Sequence, residues 1–163
     1  MYRSLNNLMG YVIEASDGEA RSVDDFLFDD ILWTVRYLVA NTGKWLPGRQ
    51  VLVSPQAIGK PDWQGRKIPV NMTKKEIEDS PPLEVNKPVN RQWEEKYIPF
   101  YGYRRYWLDV DGDPNLRSLE EVKGYKIMGV DGEIGKAEDI IVDDESWRRS
   151  EEHTSELQSL LII

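Results

Sequence analysis

The chain contains no cysteine and one histidine, His153. Without thiols there is no disulfide, no cysteine metal site and no thiol nucleophile. No apolar run reaches the roughly 20 residues that a membrane-spanning helix needs. No basic-then-apolar segment at the N-terminus reads as a signal peptide. These readings point to a soluble, cytoplasmic chain with no membrane span. Positive charge is also in deficit. Lys and Arg number 21 against 29 Asp and Glu, a net charge of −8. That surplus repels a phosphate backbone, so direct nucleic-acid binding is not expected. The length, 163 residues, suits one ordinary domain or two very small ones.

The last residues stand apart. Arg149 to Ser159 read Arg-Ser-Glu-Glu-His-Thr-Ser-Glu-Leu-Gln-Ser, which resembles the in-frame translation of a common sequencing-library adapter. Residues 149–163 are therefore set aside from fold reasoning, and a natural sequence interrupted near Arg148 is expected. His153 goes with them. What remains has neither His nor Cys, which excludes Ser-His-Asp and Cys-His catalysis and His-ligated metals. Residues 1–149 carry a net charge of −5.

An internal repeat organises the rest. Shifting the chain by 114 positions makes 13 of the 31 residues from Arg3 to Trp33 identical to those from Arg117 to Trp147. Arg3-Ser4-Leu5 meets Arg117-Ser118-Leu119, and Asp17-Gly18-Glu19 meets Asp131-Gly132-Glu133. A repeat is one structural unit used twice.

The unit reads as β. Strands are expected at Tyr11 to Ala15, Val23 to Phe28, Trp33 to Ala40, Gln50 to Val53 and Lys67 to Met72, with Pro69 favouring an edge. Asp17-Gly18 is a hairpin signal that calls for positive φ at both central residues. Alternation places Trp33, Val35, Tyr37 and Val39 on one face. Thr73-Lys74-Lys75-Glu76 is a capping box for a short helix ended by Ser80-Pro81-Pro82. Asn90 caps a second helix that carries Trp93 and Tyr97 on one face and stops at Pro99. Residues 84–116 read as a partly ordered connector.

Several segments together resemble the PRC-barrel family: Gly10-Tyr11-x-Ile13, Asp17-Gly18-Glu19, Asp25 to Asp30, Trp33 to Val39, Thr42 to Arg49, Val51 to Pro55, and Tyr101-Gly102-Tyr103 with Trp107. The family is named for the photosynthetic reaction-centre H subunit and includes one domain of a bacterial ribosome-maturation factor. Many bacterial members carry two tandem copies. The resemblance implies a mainly β fold: a first PRC-type barrel over residues 1–83, a connector with a short helix over 84–116, and an incomplete second unit over 117–148. The apolar membrane anchor of the H subunit has no counterpart here.

The resemblance implies a non-catalytic protein-interaction or assembly module with no cofactor. Two alternatives are an accessory factor in ribosome or RNA maturation that acts through a ribosomal protein, and a reaction-centre-H-like accessory to photosynthetic electron transfer. Exposed aromatics beside arginines make good binding hot spots, so Trp33, Arg36, Tyr37, Trp45 and Arg49 are a candidate interaction surface, with a buried role as the competing reading. Asp24, Asp25, Asp29 and Asp30 recur as Glu138, Asp139, Asp143 and Asp144, which favours turns and a charged rim over acid–base chemistry. Asp109 to Glu120 has the acidic spacing of a calcium loop, but Pro114 occupies the place that needs glycine. No metal site is expected. Because the second copy stops after Trp147, Ile140-Ile141-Val142 is expected to have an unpaired edge, so that residues 117–148 either lean on the first barrel, are poorly ordered or drive self-association.

Overall fold

The structure, a computed structural model, describes residues 1–41, 47, 49–81, 83–84, 89–109 and 115–149. β1 (Tyr2–Ser4) leads into a one-turn helix, α1 (Leu5–Leu8), followed by β2 (Val12–Ala15), β3 (Gly18–Asp29), β4 (Val35–Ala40) and β5 (Arg49–Val53). A 3-10 turn at Pro55–Ala57 precedes β6 (Lys67–Pro69), α2 (Lys74–Glu78), β7 (Leu83–Glu84) and α3 (Arg91–Tyr101). A second 3-10 turn, Tyr106–Asp109, comes before β8 (Leu116–Ser118), α4 (Leu119–Val122), β9 (Lys126–Gly129), β10 (Gly132–Lys136) and β11 (Ile141–Asp143). Among the described residues strand makes up 42% and helix 22%, so the class is mainly β.

The largest sheet runs β6-β2-β3-β4-β5-β7, with β8 also on β3, and it is open. β3 is long enough to serve two neighbours in turn. Gly18 to Ser22 pair with β2, and Val23 to Phe28 pair with β4. β6 lies parallel to β2, with Ile13 beside Ile68. The β2–β3 hairpin turns at Ser16-Asp17, since Ala15 pairs with Gly18. The turn thus sits one place earlier than the sequence suggested, and of the two residues expected at positive φ only Gly18 takes it, at +126°. Glycine takes that backbone without a Cβ clash. The capping box forms as read: the Thr73 hydroxyl accepts from Glu76 N, and Thr73 N donates to the Glu76 carboxylate at 2.7 Å.

Alternation along β4 is broken. Leu27 pairs with Tyr37 and Phe28 with Val35, which leaves Arg36 as the extra residue of a bulge. Val35 therefore faces the main core with Leu38 and Ala40, while Tyr37 and Val39 face the other side. There α3 covers them, packing Trp93, Tyr97 and Ile98 onto Tyr37, Val39 and Leu52. The presumed connector thus forms a second apolar layer. Pro99 does not end α3. It sits on the exposed side of the last turn, and the helix stops at Gly102, whose φ is +69°. Tyr103 N then reaches Ile98 O at 3.0 Å, closing the cap.

Residues 115–149 pack against the first part of the chain. Leu119, Val122, Ile140, Val142 and Trp147 share one core with Leu5, Phe26 and Phe28. The expected free edge at Ile140 to Val142 is not found. β11 is paired with β1, Val142 also bridges Arg149, and Ile140 and Val142 are buried. The leading strand of each copy supplies this pairing to the other copy, since β8 pairs with the end of β3 as β1 pairs with β11. Residues 114 apart make matching contacts across this junction. Arg3 meets Asp144 at 3.4 Å, and Arg117 meets Asp30 at 3.4 Å. Asp144 N donates to Met1 O and Asp30 N to Asn115 O, both at 3.0 Å. Val35 N donates to Trp147 O, and Arg149 N to Trp33 O.

Candidate functional site

Behind the β4 bulge lies a cleft of about 300 Å³ with a mixed polar and apolar lining. Thr34 to Tyr37 form one wall and Ser54 to Gln56 another, with Ile98, Tyr106 and Glu145 to Trp147 completing it. The bulge turns Arg36 toward Asp29, whose Oδ2 accepts from Nε at 2.8 Å. The guanidinium also lies 4.2 Å over the Tyr106 ring. Beneath it, Glu94 of α3 is 2% exposed. Its Oε1 accepts from the Tyr37 and Tyr106 hydroxyls, both at 2.8 Å, and Oε2 from Arg91 at 2.9 Å. Burial raises the Glu94 pKa, against the pull of Tyr37, Tyr106 and the arginines. Burial and the adjoining Glu94 carboxylate raise both tyrosines. The cleft can hold a small polar molecule. Both Glu94 oxygens are already taken up by structural hydrogen bonds.

The candidate surface residues have different fates. Tyr37 is 1% exposed and belongs to the interior, so it is removed from that surface. The bulge and α3 bury it. Trp33 is partly buried, stacked on Phe28 with centroids 5.2 Å apart, and Arg149 lies over its ring. Arg36 is held by Asp29. Arg49 binds the Glu78 and Ser80 carbonyls at 2.9 and 2.6 Å. Trp45 lies outside the described residues, as do Asp111 to Pro114 and Ser150 to Ile163. The structure thus does not gather these five into one exposed patch.

The acids serve local structure. Asp25 accepts from the Ser118 hydroxyl, as Asp139 does from Ser4. Burial raises the Asp25 pKa. Asp29 accepts from Ile31 N and Thr34 N, and Asp143 from Ser146 N and the terminal ammonium. Those donors hold Asp143 down at about 2. Asp24 is exposed. Among the described residues, no group of three or more acids or histidines is placed to hold a metal. Also among them, no helix is long and apolar enough to cross a membrane.

Sequence reasoning missed Glu94, Arg91 and Tyr106. Arg91 and Glu94 are three apart on a capped helix, which marks a possible ion pair. Nothing local signals that Tyr37 and Tyr106 converge on them. Also missed was the exposure of apolar residues on the β9–β10 hairpin. Tyr125, Met128 and Ile134 are 50%, 67% and 47% exposed, and Val130 is fully exposed. No family model matches the chain, and no curated protein matches it.

Proposed function

We propose that the chain is a non-catalytic binding module of PRC-barrel type, built from a tandem repeat and serving assembly with another protein in the cytoplasm. The observation that carries this reading is the exposure of Tyr125, Met128, Val130 and Ile134 on the single β9–β10 hairpin. Grouped apolar exposure of this kind marks interaction sites more often than isolated residues do. The acids support it, since buried Glu94 and Asp29 and partly buried Asp25 accept hydrogen bonds within the fold. The acid surplus favours a basic protein partner over a nucleic acid.

Co-purification with tagged chain tests the reading. Met128→Asp and Ile134→Asp each place charge at an exposed position of the hairpin. Proteins bound by the parent chain are expected to be lost from both variants. An identical bound set from parent and variants would overturn the proposal.

A further inference from the structure

The cleft behind the β4 bulge is built around an arginine whose hydrogen bonds are incomplete. The Arg36 side chain is 15% exposed, and its Nε donates to Asp29 Oδ2 at 2.8 Å. Asp29 is fully buried and also accepts from Ile31 N and Thr34 N, so its carboxylate is committed to the turn. The Tyr106 ring lies under the guanidinium, 4.2 Å from its carbon. That ring is itself anchored, because its hydroxyl donates to Glu94 at 2.8 Å. With one edge on Asp29 and one face on Tyr106, the guanidinium is held in one orientation. Among the described residues, Arg36 Nη1 and Nη2 have no hydrogen-bond partner, and both keep access to solvent. They form the end-on pair of donors of a side chain that lines the cleft. Val35, Pro55, Ile98 and Trp147 supply apolar surface beside it, and Glu145 is an exposed acid of the same lining. The wall at Glu145 to Trp147 is a closed turn, since Trp147 N donates to Asp143 O and Asp143 N to Arg148 O. It presents no open strand edge.

We propose that this cleft binds a small monocarboxylate with an apolar body, its carboxylate held end-on by Arg36 Nη1 and Nη2. A guanidinium offers a carboxylate two parallel donors and satisfies both oxygens at once, with charge assistance. Asp29 and Tyr106 already fix the side chain, so little rotamer freedom is lost on binding. A volume of about 300 Å³ lies at the lower end of ligand pockets, which suits one ring or a short aliphatic chain. The apolar residues of the lining receive that body. The charge balance selects a monoanion. Asp29 already offsets Arg36, and Glu145 adds like charge, so a second negative charge on the ligand is disfavoured. This site goes beyond the binding-module reading and does not depend on it.

The probe is benzoate, titrated into the whole chain while backbone and arginine side-chain resonances are followed by NMR. Saturable shifts at Val35, Arg36 and Tyr106 are expected, with a dissociation constant of about 1 mM or tighter. Benzamide has the same shape without the charge, and it should bind about tenfold more weakly, as should inorganic phosphate. Arg36→Lys keeps a cation beside Asp29 but loses the end-on pair, and it should weaken benzoate about tenfold. Glu145→Lys alters an exposed residue and should tighten benzoate about twofold or more. The benzamide comparison uses the parent chain, so it decides the matter even where Arg36→Lys fails to fold. No saturable shift at these residues would overturn the proposal, as would equal binding of benzoate and benzamide. Phosphate binding as tightly as benzoate would make the cleft a general anion site, also against it. So would a tripeptide with a free C-terminus that binds about tenfold tighter than benzoate, since the cleft would then take a protein terminus.

Discussion

Glu94 shows how much a single residue can hold. Its two oxygens satisfy two buried tyrosine hydroxyls and one arginine. Truncating it leaves those donors in an apolar layer, so Glu94→Ala should cost about 3 kcal/mol or more in denaturant unfolding. The pH dependence has a definite sign. Burial raises the folded pKa above the ordinary 4.5, so the folded state holds the proton more tightly than the unfolded chain does. The associated stabilisation is fully present below the ordinary value and is lost as pH rises through the raised one. The melting temperature of the parent relative to Glu94→Gln should therefore fall as pH rises from below 4.5 into the neutral range. A constant or rising difference would show that Glu94 is not desolvated as described.

At the scale of elements, sequence signals were clear where the cause is local. The Thr73 capping box, the Asn90 cap and the strands from Val12 to Val53 follow from side chains near in sequence. Errors arose where a neighbour distant in sequence decides. The bulge at Arg36 is set by pairing with β3, and it reverses the faces of Val35 and Tyr37. Helix α3 continues past Pro99 because the lost hydrogen bond falls on an exposed turn while Trp93, Tyr97 and Ile98 are held by β4 and β5. Its true stop is Gly102, in a left-handed conformation with no atom within 4 Å of a built Cβ. The cost of a side chain there is thus purely conformational. Gly102→Val should destabilise by about 1 to 2 kcal/mol, and Gly102→Asn by much less. Equal effects in chemical denaturation would contradict a left-handed cap.

For the whole molecule, the identities at a fixed offset were legible but the interlock of the segments that carry them was not. Thirteen identities at a fixed offset announce two like units. They do not show that β1 and β8 each cross to the other copy, or that Ile140, Val142 and Trp147 complete the first core. The candidate surface was legible only as a list of residue types. Arg36, Tyr37 and Arg49 are held by partners within the fold, while the exposed apolar residues lie on the β9–β10 hairpin. That difference arises because the first copy contains β6 to cover its hairpin, and the described part of the second has no equivalent.

Residue-resolved amide exchange, followed by NMR on the whole chain, tests this open edge most directly. Val12 and Lys126 are matched positions with equivalent inner ladders. The account predicts that the Val12 amide, held by Arg66 O at 2.9 Å, is strongly protected, while the Lys126 amide exchanges rapidly. Equal, strong protection of Lys126 in the free chain would contradict it, because the β9 edge would already be filled.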